Sequence, residues 1–276
     1  MAKKLLRPMT DVVFHALFRE ENKKLLEGLI EDILGEKVKV ISTDKDRHVM
    51  IKNPEEKLGI MDLRTELEGG IKCNIEIQLA EEQYEKERML YYWAETYTRQ
   101  LLRGEEYSEL KKTISIIILN HDIEPIKELE NLGTKWQIRD SETGQKVLTD
   151  RLEIVIISIP KAERMYKKNE KDKIGQWMMF LSDPNKKEVG NIMKENEKIK
   201  EAVEELEEIS DDYTLRRIAE LREKGRRDYN AAISFATEKG KEQKNKEIAK
   251  KMLESGIPIE KIEAITGLTK DEIESI

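Results

Sequence analysis

Asp62, Glu76 and Gln78 are the residues of this chain whose types and spacing lend themselves to chemistry. They fall in the stretch Lys57 to Gln78, KLGIMDLRTELEGGIKCNIEIQ. It reads as two strands, Leu58 to Glu66 and Ile71 to Leu79, on either side of a Gly69-Gly70 turn. In the second strand Ile71, Cys73, Ile75 and Ile77 share one parity, and Lys72, Asn74, Glu76 and Gln78 share the other. Glu76 and Gln78 therefore project together from the face opposite the isoleucines. A hairpin loop Glu68-Gly69-Gly70, with glycine available for positive φ, sets Leu67 opposite Ile71 and so Asp62 opposite Glu76. Directly opposed side chains have Cβ atoms roughly 4.5–5.5 Å apart, and like charges at that spacing destabilise a sheet. A divalent cation between the carboxylates would remove the penalty; Mg²⁺ takes one or two carboxylates together with waters and phosphate oxygens. A register displaced by one residue would part the two carboxylates. The sequence leaves that alternative open, and with it the plainer reading of a charged, solvated hairpin face.

The rest of the chain has to supply a scaffold for that hairpin. Its 276 residues suffice for one large domain or two smaller ones, with a real core. Charged residues make up 39% and aromatic residues 5%, which suits a helical, heavily solvated protein better than a β-sandwich. The net charge of −7 means that any contact with nucleic acid relies on a local basic patch or a metal ion. Cys73 is the only cysteine, which excludes an internal disulfide and a cysteine-rich zinc site, and His15, His48 and His121 are too scattered to suggest a histidine centre. The start, MAKKLLRPM, lacks an apolar core for a signal peptide. No apolar run nears the ~18 residues of a membrane span, so the expectation is a cytoplasmic protein without membrane contact.

In chain order, Thr10 is a fair N-cap with Asp11 in the first helical turn, where a carboxylate suits the helix dipole and needs no other role. Val13, Phe14, Leu17 and Phe18 follow at helical spacing. Leu25, Leu26, Leu29, Ile30, Ile33 and Leu34 continue the stripe to Gly35. Val38 to Thr43 reads as a short strand, followed by a polar loop through Pro54 and then the hairpin. Glu81 to Leu102 reads as a long helix whose Met89, Tyr92, Trp93, Thr96, Tyr97 and Gln100 form one face, most simply a core face. Arg88, Glu95 and Arg99 are left for ion pairs or phosphate contact. TISIIILN, from Thr113 to Asn120, suits a strand covered on both sides. Trp136 to Asp140 and Leu152 to Ile159 frame a second hairpin around Glu142-Thr143-Gly144, and Pro160 closes the sheet portion.

Beyond Lys161 the chain turns helical and charged. Trp177, Met178, Phe180 and Leu181 remain able to pack on the sheet; Glu195 to Asp212 is acidic and Arg216 to Lys250 basic in parts. A basic helix there tracks phosphates or is a mixed-charge solvated helix. In the tail, Ile248, Met252 and Leu253 form one face, and Ile259, Ile262 and Ile265 a second. Thr269 with Glu272 forms a capping box for a last helix bearing Ile273 and Ile276. This is a helix–turn–helix-like pattern. Asp271, Glu272 and Glu274 make its last helix acidic, which favours a docking role over insertion into a major groove.

Asp62 with Glu76-Ile77-Gln78 resembles the D…(D/E)-x-K signature of the restriction-endonuclease-like phosphodiesterases, glutamine standing at the lysine position. The opening TDVVFHALFREENKKLL, the central MDL…NIEIQ, the helix RMLYYWAETYTRQLLRGEEYSEL, the strands TISIIIL and EIVIISIPK, and the tail IAKKMLESGIPIEKIEAITGL are similar, in that order, to the Rpn-type recombination-promoting nucleases, the PD-(D/E)xK nuclease family transposases of bacteria. One departure is His15, where a lysine is usual. The resemblance implies an α/β fold: a restriction-endonuclease-like core with a central mixed sheet flanked by helices, plus an all-helical C-terminal region. The expected division is residues 1–182 for the nuclease-like domain, 183–245 for a charged helical region and 246–276 for the helix–turn–helix-like module. The resemblance also implies a DNA endonuclease dependent on Mg²⁺ or Mn²⁺, of mobile-element character. Asp62 and Glu76 would hold the metal, with the Ile77 carbonyl as a further ligand and Asp11 as an outer or second-metal ligand. Arg88 is a candidate for a phosphate oxygen.

Gln78 cannot titrate; it can only hydrogen-bond, so its part is to hold a water. Lys72 shares the strand face but lies four residues from Glu76, at ~3.3 Å per residue, too far to act as a base there. Two other readings stay open. One is a catalytically weak nuclease fold that binds nucleic acid or protein. The other is an interaction protein that self-associates through its helical C-terminal region.

Overall fold

The computed structural model describes residues 4–43, 60–81 and 83–276. The expected polar loop through Pro54, and Leu58 and Gly59 at the start of the first hairpin strand, lie outside them. The described residues form one mixed six-stranded sheet with helices on both faces, the architecture that the sequence implied.

The chain opens with α1 (Asp11–Leu17), started from Thr10, and α2 (Lys23–Leu34). Gly35 ends α2 at φ 76°, in the left-handed region where a side chain would be strained, and its N–H closes on the Glu31 carbonyl at 2.8 Å. Strands β1 (Val40–Thr43), β2 (Ile60–Leu67) and β3 (Ile71–Gln78) follow, then α3 (Glu85–Thr98) and β4 (Thr113–Leu119). The helix is shorter at both ends than the expected Glu81 to Leu102. Strands β5 (Gly133–Trp136) and β6 (Leu152–Ser158) complete the sheet.

β5 and β6 pair antiparallel as expected, but β5 shares only Trp136 with the expected strand Trp136 to Asp140. Arg139 and Val147 make only an isolated bridge, and the Asp140 carboxylate caps the turn by accepting from the Thr143 and Lys146 N–H groups at 2.7 Å each. The sheet portion ends just before Pro160, as expected. Pro160 lies in the first turn of α4 (Ile159–Tyr166), where its missing N–H costs nothing, and Ser158 caps that helix.

The strand order is β1-β2-β3-β4-β6-β5. β1, β2 and β3 run antiparallel in turn, β3, β4 and β6 are parallel neighbours, and β5 returns antiparallel to β6. β4 lies at the centre with all its residues buried, as TISIIIL suggested.

The two faces of the sheet are unequal. Leu63, Cys73, Ile75, Ile77, Ile116 and Ile157 point into the main core, beneath Phe14, Leu26 and Ile30 of the first two helices. Three further helices extend that core: α5 (Lys173–Ser182), α6 (Lys187–Glu195) and α7 (Glu197–Asp211). Trp177 and Phe180 of α5 are fully buried in it, and α7 turns Ile199, Val203 and Leu206 inward while its acidic face stays outside. The opposite face carries a smaller cluster, in which Met89 and Trp93 of α3 cover Ile117, Ile154 and Ile156. Trp93 Nε1 donates to the Thr113 carbonyl at 2.9 Å, and Gln100 holds Thr113 and Lys111. The aromatic stripe of α3 is thus a core face.

The chain divides into two compact units, one ending at Arg222 and one from Glu223 to Ile276. The region expected at 183–245 contributes α6 and α7 to the first unit and much of the 42-residue α8 (Tyr213–Glu254). In the second unit, α9 (Ile259–Thr266) and α10 (Lys270–Glu274) fold with the end of α8 around Ala249, Ile262, Leu268 and Ile273. The Thr269–Glu272 capping box is present. Ile265, however, is exposed, and Thr266 takes the inner position one turn after Ile262.

Candidate active site

The hairpin forms in the expected register. Gly69 and Gly70 adopt φ 80° and 79°, Leu67 pairs with Ile71, and Asp62 lies directly opposite Glu76. Arg64 opposes Asn74, and Glu66 opposes Lys72. These residues share the face that carries α3, since Glu76 is level with Ile117 of the smaller cluster.

What the hairpin pattern alone did not show is how deeply that face is covered. Asn74, Glu76 and Gln78 are all buried, with Glu76 only 3% exposed. The apolar body of α3 dries one side of the polar row, and Arg88 reaches from the same helix to the Glu76 carboxylate at 3.5 Å. Burial pushes the Glu76 carboxyl above its ordinary range. The Gln78 hydrogen bond and the Arg88 charge pull it back, while the Asp62 charge adds to the upward push.

Gln78 Nε2 donates to Glu76 Oε1 at 2.9 Å. Only the amide nitrogen can face a carboxylate favourably, so Gln78 Oε1 is left buried without a hydrogen-bond partner. Asn74 Oδ1, one strand step away on the same face, is also buried and unpartnered. Each such acceptor costs on the order of 1–3 kcal/mol, a cost that a water or an ion beside Glu76 would relieve. Two carboxylates and an amide oxygen form a hard, all-oxygen donor set, which suits a divalent cation such as Mg²⁺.

The other sequence-derived residues fall as follows. The Ile77 side chain is fully buried in the main core. Lys72 and Gln78 direct their backbone groups toward β4, so alternation turns the Ile77 carbonyl toward β2, opposite Met61. Asp11 lies on α1 and pairs with Arg222 at 3.3 Å. Among the described residues, no cluster of three or more acidic, histidine or cysteine side chains is arranged to hold a metal. Lys72 is engaged by Glu66 at 2.6 Å, consistent with its dismissal as a base.

Three features were missed. Arg64, two residues after Asp62, places its Nε 3.8 Å from Asp62 Oδ2. Asn74 stands two residues before Glu76. The alternation that picked out Gln78 would have found both. The third is a part-buried pair: His121 Nε2 lies 2.8 and 3.0 Å from the two oxygens of the buried Glu85 carboxylate. It fastens the first turn of α3, one turn before Arg88, to the chain just beyond β4. No short-range signal links residues 36 apart.

Comparison with known families gives two matches. Residues 8–236 match the model described as PD-(D/E)XK nuclease family transposase, and residues 242–276 match the C-terminal HTH domain of the Rpn/YhgA-like nuclease family. Neither a search of curated proteins nor one of solved structures returned a match.

Proposed function

The chain belongs to the PD-(D/E)XK nuclease family transposases, and from that premise we propose that it is a divalent-metal-dependent DNA endonuclease using the Asp62–Glu76 pair. The observation that carries this reading is a buried carboxylate, Glu76, directly opposed by the half-buried Asp62 and set beside an unsatisfied glutamine oxygen. Asp62 and Glu76 would hold Mg²⁺ or Mn²⁺; the Ile77 carbonyl, turned toward β2 opposite Met61, would be a further ligand only through its second lone pair. Asp11, paired with Arg222, is not needed for that set. The bound cation would supply Lewis-acid chemistry, neutralising phosphate charge and making water a better nucleophile.

The chain's own groups divide the remaining work. Gln78 accepts a hydrogen bond from the attacking water through Oε1 and orients it, while its amide nitrogen keeps Glu76 in place. Arg88 neutralises charge on a non-bridging phosphate oxygen. The packing of α3 on Ile117 keeps bulk water from the inner side of the pair. The match of residues 242–276 to an HTH domain favours DNA contact by that module, against the docking role that its acidic last helix suggested.

A second reading, a nuclease fold with weak or no cleavage, is favoured by one observation: both carboxylates already have an arginine within ion-pair distance. Cleavage of supercoiled plasmid by the purified protein, with Mg²⁺, Mn²⁺, Ca²⁺ or EDTA and an Asp62→Ala control, separates the two. Nicking that requires Mg²⁺ or Mn²⁺ and vanishes in the variant is expected. No nicking, with metal binding retained, would favour the silent fold.

A further inference from the structure

The alternation of β2 puts Arg64 on the face of Asp62, and its side chain is 28% exposed against 19% for Asp62. The contact between them is loose. Charge-assisted N–H···O bonds run about 2.7–2.9 Å, whereas Arg64 Nε is 3.8 Å from Asp62 Oδ2 and, though buried, makes no hydrogen bond. Arg88 stands off Glu76 at 3.5 Å. Arg64 thus balances charge on Asp62 without the short hydrogen bonds of a mature ion pair.

That arrangement has a consequence for any divalent cation. The oxygens that would hold it are those the arginines face, so cation and guanidinium compete for them. Once a dication occupies the pair, the local charge becomes more positive by two, and Arg64 loses Asp62 as its counter-ion. A guanidinium with spare N–H groups beside an electropositive pocket is suited to a phosphodiester oxygen, which its planar fork can grip with two bonds.

We propose that Arg64 is a phosphate-contact residue whose resting partner is Asp62, and that cation binding and polynucleotide binding are coupled through this exchange. The inference rests on the reading of Asp62 and Glu76 as the cation-holding pair.

The test uses the full-length protein and two binding measurements, neither of which needs turnover. Mn²⁺ binding without DNA is followed by electron paramagnetic resonance. Binding of a fluorescein-labelled DNA duplex is followed by anisotropy in Ca²⁺ across a salt series. Arg64→Gln is expected to tighten Mn²⁺ binding by roughly fivefold to tenfold, the scale of one partly screened charge at this distance. It is also expected to weaken duplex binding and to lower the salt slope by about 0.9, one phosphate contact. Arg64→Lys, which keeps the charge, should restore the salt slope and wild-type Mn²⁺ affinity. Thermal melts confirm that both variants fold.

Opposite signs for cation and DNA are the signature of exchange. A variant that weakens both has lost a structural support, and one that changes neither has lost nothing; either result overturns the proposal for Arg64. The carboxylate pair is judged separately: Asp62→Ala should abolish Mn²⁺ binding. If it binds like the intact protein, the cation-site reading itself fails.

Discussion

Strand β3 offers two faces of one backbone for comparison. Its odd residues, Cys73, Ile75 and Ile77, enter the main core beneath the first two helices; its even residues, Asn74, Glu76 and Gln78, lie under α3. Both sets are buried, so depth does not distinguish them. What differs is satisfaction. The odd face is filled by apolar neighbours and leaves no polar atom wanting a partner. The even face buries a carboxylate with a raised pKa and two amide oxygens without donors. A folding sequence gains nothing from that second face by itself. Buried polar groups that the fold does not satisfy are where a ligand's contribution is to be sought.

The largest expected effect tests the core side. Ile75→Ala should cost about 2–5 kcal/mol, because a fully buried side chain in a closely packed cluster leaves a cavity. Asn74→Ala, the adjacent and nearly as buried residue, should cost less than about 1 kcal/mol, since its amide oxygen has no hydrogen bond to lose. Urea denaturation of the pair measures the contrast. Equal losses would mean that the even face is an ordinary core.

The even face should dominate activity instead. Glu76→Ala and Asp62→Ala are each expected to lower Mg²⁺-dependent plasmid cleavage by more than about a hundredfold, with melting temperature held or raised. Cleavage that survives in either variant would remove that residue from the site. A smaller effect is expected at the position where the resembled signature has lysine. Gln78→Lys should retain cleavage or raise it a few-fold, since an ammonium can hold a water and also pair with Glu76. Complete loss would argue against the water-positioning role of Gln78.

How much of this was legible before the fold was known follows from the range of each signal. The hairpin was, because alternation and the Glu68-Gly69-Gly70 turn fix register locally, and Asp62 does lie opposite Glu76. So were the core face of α3 and the buried strand TISIIIL. Strand and helix ends moved where tertiary contacts decide them, as at β5, which shares only Trp136 with the expected strand. Contacts made across the chain were out of reach. Nothing near Asp11 announces Arg222, and nothing near Glu85 announces His121. Arg64 was legible by parity but carries a charge opposite to the one a metal site suggests. Its relevance emerges only when its distance from Asp62 is known.

The smallest expected effect is thermodynamic and bears directly on the even face. The folded protein holds the Glu76 carboxyl above its ordinary value of 4.5, first through burial and then through Asp62. Below that ordinary value the group is protonated both folded and unfolded and contributes no pH dependence. Between the ordinary and the raised value the folded state binds more protons than the unfolded one, so stability must fall as pH rises through that window. Glu76→Gln removes the titration and its slope. The stability difference between the variant and the intact protein, from urea midpoints in EDTA at a series of pH values, should therefore shift in the variant's favour as pH climbs from about 4.5 and then level off. Taking the difference cancels the other carboxylates. Mg²⁺ should shrink the shift, because a cation on the pair favours the ionised form in the folded state alone and offsets the desolvation of Glu76. A difference that stays flat with pH would mean that Glu76 is adequately solvated. One that ignores Mg²⁺ would mean that Arg88, and not a cation, is the partner for which the buried carboxylate is kept.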